Sequence, residues 1–168
     1  MSGKTKKHLE ALRELRGRAV LGGGQKRIDQ QHERGKLTAR ERLALLLDEG
    51  SFQEFGALAT HEFTAFGLDR QRFPGDGIVT GFGKVNGRRV AVFAQDFTVM
   101  GGSFSEVQSQ KISRIQDMAL EAGIPVIGYL RGVWKGIAPA LLLSLPVGWL
   151  LHLGLPAQGW FALVLKIA

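Results

Sequence analysis

The sequence predicts an α/β fold in which a helical N-terminal arm leads into a strand-rich region and then a β-α-β unit. Three observations carry that expectation. Thr38-Ala39-Arg40-Glu41 and Ser103-Phe104-Ser105-Glu106 both have the Ser/Thr-x-x-Glu form of a capping box, which satisfies orphan amides at a helix start. Asn86-Gly87 separates two β-prone runs, and a two-residue hairpin turn needs φ > 0 at both positions. A helix-patterned stretch lies between the short apolar runs Val90–Ala94 and Val126–Tyr129. A right-handed crossover would pair those two runs in parallel.

The elements follow in order. Leu9, Leu12, Leu15 and Val20 recur among lysines, arginines and glutamates, so residues 4–20 are predicted as an amphipathic helix with a solvated basic face, ended by Gly22-Gly23-Gly24. A second helix is predicted near residues 27–34, with Gly35 as its stop. Thr38 opens a third, carrying Leu43, Leu45, Leu46 and Leu47 and closing at Asp48-Glu49-Gly50. Residues 51–55 read as a short strand and 60–72 as a loop carrying aromatics. Residues 77–85 and 88–94 form the hairpin around Asn86-Gly87. The helix opened by Ser103 puts Ile112, Ile115, Ala119 and Ala122 on one face, and Gly123-Ile124-Pro125 stops it before the buried strand 126–129.

The 168 residues suffice for one domain with a real core, and 45% hydrophobic against 22% charged argues against wholesale disorder. There is no cysteine, which excludes disulfides, thiolate metal sites and a cysteine nucleophile, and fits a reducing cytosol. His8, His32, His61 and His152 have no metal-ligand spacing, so no metal is expected. The polar start Met1–Lys7 carries no apolar h-region of a secretory signal. Gly22-Gly23-Gly24-Gln25-Lys26 lacks the Lys-Ser/Thr and preceding strand of a phosphate-binding P-loop. The net charge of +7 is concentrated in the arm, where a solvated face is expected rather than contact with nucleic acid or a CoA phosphate.

Several segments, in this order and spacing over roughly residues 10–128, resemble the propionyl-CoA carboxylase β-subunit family, with its methylmalonyl-CoA decarboxylase and transcarboxylase relatives. They are Leu21-Gly22-Gly23-Gly24-Gln25-Lys26-Arg27-Ile28-Asp29, Arg34–Arg42, Phe73-Pro74-Gly75-Asp76, Gln95–Ser103, Lys111-Ile112 and Gly123–Gly128. The resemblance implies a crotonase-like fold, a β-β-α superhelix of which this chain would hold an incomplete domain behind its helical arm. It implies carboxyl transfer between carboxybiotin and the α-carbon of an acyl-CoA, with biotin carried by a partner biotin carboxylase/biotin carboxyl carrier subunit, and a homo-oligomer. It also implies an oxyanion hole from a Ser-Gly-Gly-Ala-Arg segment directly after the strand at 126–128. Here that position reads Tyr129-Leu130-Arg131-Gly132-Val133, without the glycine pair. Carried over residue by residue, the resemblance leaves no catalytic position, and the polypeptide alone is expected to be inactive.

The remaining candidates carry two readings each. Gly101-Gly102-Ser103 at a helix start can offer free N–H groups and a positive dipole end to a phosphate or carbonyl of acyl-CoA, or it can be a tight strand-to-helix turn with Ser103 as N-cap. Asp96 can orient a ligand or bond its own loop amides as an Asx-turn. Arg40 and Arg42, flanking Glu41, are expected on a solvated helix face, with a contact to a partner subunit as the alternative.

All fifteen acidic residues lie at or before Glu121, and the only charges beyond it are Arg131, Lys135 and Lys166. The stretch 137–164 is long and apolar enough to span a bilayer, yet Pro139, Pro146 and Pro156 would break a simple spanning helix. A departure from the family near Tyr129, through truncation or a reading-frame slip, is the preferred explanation. A membrane or interface segment and an unusual packed core are the alternatives. The expected division is therefore a helical arm at 1–50, the start of a crotonase-like domain at 51–129 and an anomalous apolar tail at 130–168.

Overall fold

The computed structural model describes residues 3–61, 63 and 72–130. The interior of the aromatic loop predicted at 60–72 and the apolar stretch from Arg131 onward lie outside the described residues. The described elements are α1 (Gly3–Leu21), α2 (Gln25–Glu33), α3 (Ala39–Leu46), β1 (Gln53–Phe55), β2 (Ile78–Val85), β3 (Arg88–Gln95), α4 (Glu106–Glu121) and β4 (Val126–Tyr129). The four strands form one sheet in the order β1-β2-β3-β4, antiparallel except for the parallel β3–β4 pair that α4 joins.

The two-residue period of β3 sorts its side chains cleanly. Val90, Val92 and Ala94 pack with Val79, Val85, Ala39, Leu43 and Leu47, so α3 covers one face. Ala91 and Phe93 pack with Ile78, Ile115 and Ala119, so α4 covers the other. A strand covered on both faces reads as a continuous apolar run, which is what residues 90–94 are. The third helix, assigned by sequence to the arm, is thus part of the sheet's core. The arm proper is α1 and α2. Of α1 only Ala19 is buried, and Leu15, Val20 and Leu21 are exposed.

The local signals hold where their partners are local. Thr38 and Glu41 form both hydrogen bonds of the capping box. Gly35, at φ 68°, ends α2 in a Schellman arrangement, its amide donating to the His32 carbonyl and the Lys36 amide to that of Gln31. Asn86 and Gly87, at φ 51° and 77°, make the two-residue turn, and Val85 pairs directly with Arg88. The sequence did not reveal that Asp48 clamps this turn, its two carboxylate oxygens accepting from the Asn86 and Gly87 amides at 2.9 and 2.8 Å.

Three expectations are corrected. The N-cap of α4 is Ser105, not Ser103: its hydroxyl accepts from the Gln108 amide at 3.1 Å while donating to the buried Asp76. Ser103 instead donates to the Met100 carbonyl at 3.2 Å. Asp76 decides the choice, because only the Ser105 hydroxyl reaches both a carboxylate and a helix amide. Ala122 is the C-cap and exposed, so the apolar stripe of α4 ends at Ala119. And β4, expected as a buried strand, is half-buried.

The turn and the core each yield a measurable consequence. Gly87→Val forces a β-branched residue into φ 77° and should cost about 1–2 kcal/mol in urea unfolding. Ile115→Ala, which empties a fully buried position between α4 and the sheet, should cost about 2–5 kcal/mol. An unchanged midpoint in the first would remove the turn assignment, and in the second the packing assignment.

Candidate functional site

The C-terminal ends of parallel strands are where open α/β sheets place their ligands, because the connections to the helices diverge there. Here that edge is formed by the end of β3, the connection 96–105 into α4, and the end of β4. The connection is built from the inside. Asp96 is buried and accepts from the Thr98 amide at 2.9 Å and the Thr98 hydroxyl at 2.7 Å, so it supports its own loop as an Asx-turn. The same hydroxyl accepts from the Gly23 amide at 3.0 Å. A Cβ on Gly23 would stand 1.9 Å from the Thr98 carbonyl oxygen, so the triple glycine is a close packing surface for this loop as well as a helix end.

Met100–Gly102 follow as a tight turn with Ser103 just beyond it, and the turn ends three residues before Ser105, the cap of α4. Met100, Gly101 and Gly102 all have positive φ, at 45°, 66° and 80°. For methionine that conformation costs roughly 1–2 kcal/mol, and such strain is found where structure is held for a purpose. Two of the candidate donors are committed: the Gly102 amide to the Val99 carbonyl at 2.9 Å and the Ser103 amide to that of Met100 at 3.3 Å. From beneath, the Gln95 side-chain amide donates to the Gly102 carbonyl at 2.6 Å and that of Gln108 to the Ser103 carbonyl at 2.9 Å. The Phe97 ring lies against Gly102, where a Cβ would come within 2.6 Å of it. Met100 and Phe104 stand exposed on either side.

Arg40 and Arg42 are not on a solvated face. Arg40 forms a two-pronged pair with Glu54, both bonds 2.8 Å, and also donates to the Ala19 carbonyl at 3.1 Å, tying α1, α3 and β1 together. Arg42 is buried, 4% exposed, and donates to the Leu37 and Gln95 carbonyls, each at 2.8 Å. Its guanidinium lies 4.2 Å from the Tyr129 ring centre and 5.0 Å from that of Phe97, and these two rings meet edge to face. Burial pulls its pKa below the usual value, opposed by the fields of Tyr129, Asp96 and Glu41. Charged hydrogen bonds contribute about 1.5–3 kcal/mol each and a desolvated cation–ring contact about 2 kcal/mol, which is what offsets burying this charge. Helical spacing holds the clue: Arg42 is three residues from the fully buried Ala39 and beside Leu43, on the apolar face of α3.

Lys111 is the second buried cation. It lies on the α4 stripe with Gln108, Ile115 and Ala119, and its ammonium donates to the Gly75 and Ile78 carbonyls at 2.8 and 2.5 Å. It thereby holds the Phe73–Asp76 segment to α4. Burial pushes it down from 10.5 to about 8, with Glu54 and Asp76 opposing the shift and Arg40 adding to it. Among the described residues no cluster of His, Cys, Asp and Glu side chains could hold a metal, and no helix is long and apolar enough to cross a membrane.

Residues 30–136 match the family model for the carboxyl transferase domain. The propionyl-CoA carboxylase beta chain of Roseobacter denitrificans is 62% identical over 120 residues, which are 71% of this chain and 24% of that protein. The methylmalonyl-CoA decarboxylase subunit alpha of Propionigenium modestum is 49% identical over 122 residues, 73% of this chain and 24% of that one. The transcarboxylase 12S hexamer, solved with methylmalonyl-coenzyme A and methylmalonic acid bound, superposes with a TM-score of 0.72 at 43% identity, over 82% of this chain and 28% of that chain. The chain therefore spans about a quarter of the length of the curated relatives it matches.

The buried ammonium has a pH signature. Between pH 8 and 10.5 the folded Lys111 has released its proton while the unfolded one retains it, so the unfolded state binds more protons and stability rises with pH. In urea unfolding from pH 7.5 to 10.5, the native chain should gain up to about 3 kcal/mol relative to Lys111→Met. Parallel profiles for the two would show that the ammonium is not strained by burial.

Proposed function

We propose, because the chain belongs to the carboxyl transferase domain family, that it forms the first part of the acyl-CoA site of a biotin-dependent carboxyltransferase. Over its described residues it has the crotonase-type α/β fold of those enzymes. The observation that carries the proposal is the coincidence of 62% identity over 120 residues with a superposition at TM-score 0.72 onto an acyl-CoA-binding relative. In the proposed reaction the α-carbon of a short acyl-CoA, such as propionyl-CoA, gives up a proton and gains the carboxyl group of carboxybiotin, whose ureido nitrogen takes a proton in exchange. The working assembly would be a cytoplasmic homo-oligomer served by a biotin carboxyl carrier partner.

The described residues fit the acyl-CoA side of this chemistry better than the biotin side. A ureido ring needs aligned donors, and the Gly102 and Ser103 amides are already taken within the turn. Met100 and Phe104, exposed beside Gly101, suit the apolar acyl and pantetheine portions of a thioester. No described residue is assigned to the group transfer itself, and the position that the family uses for its oxyanion glycines reads Tyr129-Leu130-Arg131-Gly132. A single missing oxyanion donor lowers turnover by about a hundred- to a thousandfold.

The polypeptide by itself is therefore expected to bind propionyl-CoA saturably and to transfer no carboxyl group. The measurement is calorimetric titration with propionyl-CoA, alongside acyl-CoA-dependent loss of carboxybiotin from a carrier protein. Absence of any acyl-CoA binding would overturn the site assignment. Turnover above the carrier-only control would overturn the claim that catalysis requires residues this chain does not supply.

A further inference from the structure

We propose that Arg42 is a positioning residue of the acyl-CoA site: from within the core, its guanidinium fixes the ends of β3 and β4 and, through them, the Met100–Gly102 turn. The inference rests on the site assignment above and adds the residue that sets its geometry. Each link is a direct contact. Arg42 donates to the Gln95 carbonyl at 2.8 Å, and the Gln95 side chain donates to the Gly102 carbonyl at 2.6 Å. Arg42 also lies 5.0 Å from the Phe97 ring centre, and the same ring packs against Gly102 closely enough to leave no room there for a Cβ. Its other near ring, at 4.2 Å, belongs to Tyr129, the last residue of β4. One side chain thus touches the terminal residue of each parallel strand and reaches the turn by two routes.

The choice of residue argues for a positioning role. Among the described residues Arg42 has no carboxylate partner, while an apolar side chain would fill the space between α3 and the sheet without desolvating a charge. What an apolar side chain could not do is donate to two backbone carbonyls along fixed, divergent directions and stack on two rings at once. That combination belongs to the planar guanidinium and not to the lysine ammonium. The turn it supports needs such support, because Met100 holds a left-handed backbone that would otherwise relax. The retained positive charge at this edge also favours a ligand that is anionic or develops negative charge there.

The test separates ligand geometry from stability. Arg42→Lys, Gln95→Leu and, as control, Asp48→Ala are titrated with propionyl-CoA at a temperature where each is more than nine-tenths folded. Asp48 clamps the hairpin turn and lies outside the site. Amide hydrogen exchange is followed at Gly101 and Gly102. Arg42→Lys and Gln95→Leu should each weaken binding at least tenfold and speed exchange in the turn, while Asp48→Ala lowers the melting temperature and leaves affinity within twofold. If Arg42→Lys does not fold, Gln95→Leu decides the matter alone, since it breaks the second link and spares the first. Affinity within twofold in the folded variants would overturn the inference and leave the site assignment standing. No binding by the native chain would bring down the site assignment itself. A matching loss in Asp48→Ala would show that affinity merely follows stability, and would also overturn the inference.

Discussion

Burial of β3 on both faces is the constraint from which the rest of the arrangement follows. A central strand covered by α3 through Val90, Val92 and Ala94 and by α4 through Ala91 and Phe93 has a single permitted register. A one-residue slip would exchange the two sets and mismatch both helices. That register places Gln95 at the sheet edge, puts Ala91 opposite Val126 in the parallel pair, and sends the connection 96–105 across the top of the sheet. The hairpin, the capping of α4 and the closeness of the two strand ends all inherit their positions from it.

Above this apolar layer the polar groups are few and heavily used. Arg42, Lys111, Asp76, Asp96 and Gln108 are all buried, and each bonds to backbone or to a neighbouring side chain that itself shapes a loop. The two cations lie on opposite sides of the sheet, Arg42 on the α3 side with Tyr129 and Lys111 on α4. Each donates to two backbone carbonyls, Arg42 to those of Leu37 and Gln95 and Lys111 to those of Gly75 and Ile78. Buried charge is costly, so its concentration around the connections and not within the sheet marks where backbone geometry had to be held irregular.

The relatives give this arrangement its functional meaning. Residues 30–136 carry the family match, and the sheet edge that the buried arginine braces lies inside that span. The similarity to the transcarboxylase 12S hexamer covers 82% of this chain and 28% of that one, so it concerns the scaffold that the two chains share. The turn at 100–102 holds a left-handed backbone and is flanked by exposed apolar side chains, while two of its amide donors, those of Gly102 and Ser103, are spent internally.

The sequence by itself determined what neighbouring residues settle between themselves. The Thr38–Glu41 box, the Gly35 stop and the Asn86-Gly87 turn were legible because each is set by a local residue pattern, even though Asp48 adds a distant clamp to the turn. The parallel β3–β4 pair was legible because crossover handedness leaves little choice. The ordered motifs made the family legible, since the spacing of whole segments survives where no single one is specific. Tertiary structure alone decided the rest. Ser105 caps α4 in place of Ser103 because of Asp76, 29 residues away. Arg42 turns inward because the Gln95 carbonyl, 53 residues away, and two rings await it. Lys111 is buried by carbonyls 33 and 36 residues distant. A hydroxyl, a guanidinium or an ammonium carries no local mark of such partners. Its place depends on which distant groups the packed sheet brings within reach.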